Sequence, residues 1–179
     1  MPNHGYSYCQ TWILMRNGLV RELKQEEVVE HPSHDVSVLE LRRPLPNIEG
    51  CPLAAELAGT GDSVVCLGHD SAMPTVEARW HGKKLSISGW CGNSSARDCN
   101  GQIKQLLTLN VNANDIKLHG VQGFEIDVQS VVGMSGGPVL HHGAREVVGM
   151  LSIGLPPDAP VRKQTFAVAS ADILPLIDH

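Results

Sequence analysis

The chain has 179 residues, 42% hydrophobic but only 4% aromatic, which suits one sizeable domain or two small lobes with a mostly aliphatic core. A net charge of −5 and a pI near 5.9 argue against nucleic-acid binding, whose mark is a basic cluster. No apolar run approaches the roughly 18 residues that span a bilayer. "MPNHGYSYCQ" lacks the basic-then-apolar order of a secretory signal, so a cytoplasmic location away from membranes is expected.

Taken in chain order, short β-type runs recur between turn signals. "TWILM" (11–15) and "LVRELK" (19–24) flank "RNG", a hairpin signal. "VSVLEL" (36–41) alternates, and "SVVCLGH" (63–69) follows the turn "GTGD". "TVEARWHGKKLSISGW" (75–90) reads as two strands around "HGKK"; "QIKQLLTLNV" (102–111) and "FEIDV" (124–128) follow. "GPVL" (137–140), the turn "HHGA" and "EVVGMLSIG" (146–154) make another hairpin, with His141 and His142 exposed in the turn. "QTFAVA" (164–169) is the last strand. Ser170 caps a short helix over "ADILPLI", with Asp172 in its first turn and Pro175 keeping it short or irregular. About ten strands and one terminal helix predict an all-β sandwich or barrel class. The segment 42–62, rich in Pro and Gly, reads as a crossing loop, giving an N-terminal lobe over 1–69 and a C-terminal lobe over 70–179.

The five cysteines, Cys9, Cys51, Cys66, Cys91 and Cys99, are odd in number and irregularly spaced, so they are no disulfide framework. Cys66 reads as a buried small hydrophobe. Cys91 and Cys99 flank the polar loop "GNSSARD" and suit a local clip in an oxidising compartment. No second pair at ligand spacing supports zinc, and two histidines with one carboxylate in "HPSHD" are too few ligands, so no metal is expected.

"VVGMSGGPVLHHG" (131–143) places Ser135 between glycines and flanks it with apolar runs. Two readings stand: a tight turn, or a nucleophile that substrate and backbone N–H groups must approach closely. A serine hydroxyl reacts only when a base removes its proton, and that base is usually a histidine oriented by a carboxylate. "HPSHDVSVLEL" offers Asp35 at the mouth of an apolar strand, and "PNHGY" offers His4, 31 residues earlier. His31 and His34 are nearer to Asp35, but His34 adjoins it, so in a strand their side chains face opposite ways.

"GMSGGPV", the order His–Asp–Ser, "DVSVLEL", "GDSVVCLGH", "VVGMLSIG" and "FAVASADILPLI" together resemble the chymotrypsin-like (trypsin-like) serine peptidases, the bacterial heat-shock/Deg branch above all. The resemblance covers nearly the whole chain. It implies two packed antiparallel β-barrels with a cleft between them, and a serine endopeptidase without cofactor acting on a protein or peptide. By matching motif, it implies His4 as base, Asp35 as orienter, Ser135 as nucleophile, and the N–H groups of Gly133 and Ser135 as oxyanion hole. It further implies that Ser152 borders the aspartate and that Ser152, Ile153 and Gly154 pair with an extended substrate. Gln129, six residues before Ser135, falls at the base of the primary pocket, where its uncharged amide would not select Arg or Lys.

Members of that family carry two strands before the catalytic histidine, and this sequence starts almost at His4. A first barrel incomplete at its N-terminus, with apolar surface bared around "TWILM" and weak activity, is the expectation. The alternative is a catalytically inactive module on a degenerate protease fold that clamps an extended peptide by strand addition.

Overall fold

Short turns between apolar runs join neighbouring segments antiparallel, and that pairing organises the chain. The computed structural model describes residues 11–14, 20–23, 28–30, 36–41, 49–69, 75–81, 84–91, 96–113, 116–131, 133–154 and 165–177. Its strands are β1 (Thr11–Leu14), β2 (Val20–Leu23), β3 (Val28–Glu30), β4 (Ser37–Leu39), β5 (Ser63–His69) and β6 (Thr75–His81). They continue as β7 (Lys84–Cys91), β8 (Ala96–Ala113), β9 (Ile116–Ile126), β10 (Pro138–His141), β11 (Val147–Gly154) and β12 (Thr165–Ala169). The chain is all-β, with one short helix, α1 (Ser170–Ile173), followed by a 3-10 turn, Leu174–Leu176.

Strands β10, β11, β12, β9, β8 and β5 close a barrel in that order. Before it, β1 pairs with β2 around the expected hairpin, and β3 pairs with β4. The first-lobe strands among the described residues thus form two two-stranded sheets. β6 and β7 form a separate hairpin inserted between β5 and β8.

Three expectations change. A division after residue 69 puts β5 in the first lobe, but its partners are β8 and β10, so it belongs to the closed barrel. β9 begins eight residues before "FEIDV" and ends at Ile126. Its early part, "IKLHGVQG", mixes polar residues and glycines around a register shift between Leu109 and Val111. There the Asn110 side-chain oxygen accepts the N–H of Gly120, at 3.0 Å, in place of a ladder bond. Ser170 does not cap α1: it is the first helical residue, and its hydroxyl donates to the carbonyl of Ala54 at 2.7 Å.

That last bond draws the crossing loop onto the barrel. Leu53 bridges Val147 in parallel, with Ala54 N–H donating to the Val147 carbonyl (2.9 Å) and Val147 N–H to the Pro52 carbonyl (2.8 Å). The barrel interior is filled mainly by aliphatic side chains around Phe124, including Val64, Cys66, Ile126, Val139 and Leu151. A second cluster on the outside of β9 and β12 joins Val36, Leu109, Leu118, Val121, Val168 and Ile173. Val36 and, packed against the cluster, Val38 of β4 thus sit on the outside of the barrel.

Replacing Ser170 by Ala should destabilise the chain by about 1–3 kcal/mol, because it leaves the Ala54 carbonyl without its donor. Denaturant unfolding measures it; an unchanged midpoint would show that water replaces the bond.

Candidate active site

The loop between β9 and β10 owes its shape to four residues of "GMSGG". Met134 is 1% exposed and plugs into the barrel core, which leaves its neighbour Ser135 exposed on the turn. Gly133 (φ 100°) and Gly136 (φ 83°) sit on either side in left-handed backbone that a side chain would strain. Gly137 lies against the carbonyl of Leu67 in β5, with no room for a Cβ. The turn is closed by Met134 N–H to the Val131 carbonyl (3.1 Å) and Gly137 N–H to the Met134 carbonyl (2.9 Å). It is tied to β11 by Gly136 N–H to the Leu151 carbonyl (2.7 Å) and Leu151 N–H to the Gly137 carbonyl (2.9 Å). Among the described residues, the N–H groups of Gly133 and Ser135 have no backbone acceptor.

β11 runs on beyond its neighbour. Its pairing with β10 reaches Met150 opposite Pro138, whereas its pairing with β12 continues to Gly154 opposite Thr165. Residues 152–154 therefore have a strand on one side and, among the described residues, an unpaired edge on the other. A register shift between Leu151 and Ile153 sets Ser152 out of the ladder. Its Oγ is buried and has no hydrogen-bond partner among the described residues.

His4 and Asp35 lie outside the described residues. Val36, next to Asp35, is 6% exposed and shares its cluster with Val168 of β12; Met150 of β11 packs on the same cluster. The chain at residue 36 is thus fixed beside the strands that carry Ser152. Gln129 is exposed in the loop before Ser135. The start of that loop is pinned by Asp127, whose carboxylate takes Lys104 at 2.9 Å and the Gln102 N–H at 2.6 Å. Those two bonds hold the Asp127 carboxyl below the usual carboxylate range, the Lys104 bond most.

Cys66 is no rival nucleophile. Burial, and then Cys99 across the strand pair, push its thiol up to about 12, so it stays protonated near neutrality. Cys99 is free, so the clip with Cys91 does not form: the ladder of β5 and β8 sets Cys99 opposite Cys66 instead. A hollow of about 280 Å³ lies elsewhere, lined by residues of the docked crossing loop and the β10–β11 hairpin, such as Ala54, Glu56, His141 and Glu146. His141 is half-buried rather than exposed, because its Nδ1 accepts the N–H groups of Gly143 and Ala144, each at 3.2 Å.

The closed barrel and its paired strands match the overall fold of solved protease structures. The Rv3671c protease from M. tuberculosis in its active form aligns over 88% of this chain at 21% identity and a TM-score of 0.55. The chain has the fold of an HtrA-type, chymotrypsin-like serine protease domain. The HtrA-type protease AlgW with a decapeptide aligns over 95% of the chain at 16% identity and a TM-score of 0.58. The MamO protease domain from Magnetospirillum magneticum aligns over 93% at 18% identity and a TM-score of 0.52. The chain spans 59% of the Rv3671c chain, 45% of the AlgW chain and 73% of the MamO chain. No protein-family model matches it, and no curated protein does.

The sequence-based expectation grouped Ser135 with Ser152, Ile153 and Gly154, and the structure describes bonds from Gly136 and Gly137, which follow Ser135, to Leu151, which precedes Ser152. It missed Leu151, whose N–H and carbonyl hold the serine turn; a leucine in an apolar strand carries no signal for such a role. Gly137→Ala should lower the melting temperature by several degrees and disorder the Ser135 turn, because the Leu67 carbonyl must move. Thermal unfolding and amide exchange across 133–137 test this; an unchanged Tm with unchanged exchange would refute the close approach.

Proposed function

We propose that the chain is a serine endopeptidase domain acting through an acyl-enzyme on Ser135. His4 takes the serine proton and later gives it to the leaving amine; Asp35 orients the imidazole and stabilises it when charged. The N–H groups of Gly133 and Ser135, without a backbone acceptor among the described residues, receive the oxyanion of the tetrahedral intermediate. The substrate lies extended against residues 152–154, as an added strand. The buried, unpartnered Oγ of Ser152 is a donor for the Asp35 carboxylate. The observation that carries this reading is the serine turn hydrogen-bonded through Gly136 and Gly137 to Leu151, directly before an open strand edge. AlgW, a protease of like fold, is solved with a peptide, which supports a peptide as the ligand here.

A fluorophosphonate probe tests the chemistry. The parent chain should be labelled stoichiometrically at Ser135, and Ser135→Ala should abolish labelling and lower peptide turnover by orders of magnitude without unfolding the chain. A folded parent chain that stays unlabelled but binds extended peptides would instead establish the clamping module, since the open edge alone serves that purpose. Labelling should rise with pH as His4 loses its proton, because only neutral imidazole acts as base.

The cleavage pattern gives a separate check. Gln129 carries no charge to pair with a basic side chain, so cuts should follow small aliphatic or polar residues. A peptide-library digest dominated by cuts after Arg or Lys would remove Gln129 from the primary pocket.

A further inference from the structure

The loop that carries Ser135 is held at its far end by the backbone bonds to Leu151. Its near end, where Asp127 is tied to β8, is held next by Thr165, the first residue of β12 and only 1% exposed. The Thr165 Oγ1 lies 2.8 Å from the Val128 carbonyl oxygen and 3.0 Å from the Ser130 Oγ, and it accepts the Ser130 N–H at 3.1 Å. A hydroxyl has one proton and two lone pairs. The carbonyl can only accept, so the Thr165 proton goes to Val128. The two lone pairs then take the N–H and the hydroxyl of Ser130. Every hydrogen-bonding capacity of this buried group is used, and all of it on two residues of the serine loop.

Thr165 also sits where three strands meet. Its register partners are Ile126 at the end of β9 and Gly154 at the end of β11. One hydroxyl therefore fixes residues 128 and 130 relative to the end of the open edge. From Ser130 the chain passes into the closed turn made by Met134 N–H on the Val131 carbonyl. A shift at residue 130 therefore strains the turn that presents Ser135.

We propose that Thr165 is a positioning residue for Ser135: its hydroxyl sets the near end of the loop and so registers the nucleophile against the edge formed by residues 152–154. The inference rests on Ser135 being the nucleophile. Valine fills nearly the same volume as threonine, so Thr165→Val removes only the bonds. The Val128 carbonyl and the two Ser130 donors then seek water, and the loop moves toward solvent. A nucleophile displaced by about 1 Å loses on the order of a hundredfold in rate.

The test uses the full chain with Thr165→Val and Thr165→Ser. It reads the fluorophosphonate labelling rate of Ser135, kcat and KM on a cleaved peptide, and amide exchange over 128–137. Thr165→Val should slow labelling and kcat about tenfold or more, change KM less than about twofold and speed exchange over 128–137. Thr165→Ser keeps the hydroxyl and should restore all three. Labelling at the parent rate in Thr165→Val, or no rescue by a folded Thr165→Ser, overturns the proposal. If Thr165→Val does not fold, Ser130→Ala removes one of the three bonds. It should then speed exchange and slow labelling severalfold, and no change in either overturns the proposal. A folded parent chain without labelling overturns the nucleophile reading and this inference with it, which separates that failure from a fault in Thr165 alone.

Discussion

Two hydrogen bonds between the serine turn and β11 organise this face of the barrel. Gly136 donates to the Leu151 carbonyl, and Leu151 donates to the Gly137 carbonyl. In a regular ladder these groups would pair with another strand. Here they pair with a turn, so β10 separates from β11 at Met150 and, among the described residues, the edge of 152–154 is left open. The same two bonds fix the turn that exposes Ser135 and end the pairing of β11 with β10 before residues 152–154. Each is a modest interaction of about 1 kcal/mol. Their value lies in direction: both point from one backbone, so the turn cannot move without breaking both.

The barrel makes such a turn rigid. Met134 fills its core, Gly137 touches β5, and Asp127 at the start of the loop is pinned to β8 through Gln102 and Lys104. The loop is thus fastened to four strands of the closed barrel, β5, β8, β11 and β12. With so few aromatics, close packing falls to branched aliphatics around Phe124, and the close backbone contacts at Gly123 and Gly149 belong to the same economy of volume. The outer cluster around Val36 and Val168 packs the segment at β4 against the barrel.

Much of this was legible in the sequence. β5 matches "SVVCLGH" residue for residue, and β10, β11 and β12 fall within a residue or two of their expected bounds. Each of these is a dense apolar run closed by turn residues, a signal that needs no distant partner. β3 was not legible: three residues, "VVE", between charged stretches show no period. The first half of β9 was hidden by His119, Gly120 and Gln122, because the sheet there is bulged and its outward face is polar. The role of Ser170 was misread because a serine before a helix usually caps it, and only the docked crossing loop offered a nearer acceptor.

The sequence by itself determined the strand-rich class, the glycine-shaped turn and the one serine exposed upon it, since backbone conformation around Gly133 and Gly136 is a local property. Tertiary structure alone decided that β5 joins the closed barrel, that Cys99 faces Cys66, that Thr165 bonds the near end of the serine loop and that Leu151 holds the far end. Those four facts are pairings between residues 33 to 35 positions apart for Cys66 with Cys99 and for Thr165 with Ser130, and 14 to 15 for Leu151 with its turn. Register between strands is chosen by burial of whole faces and closure of the barrel, and no single segment encodes it.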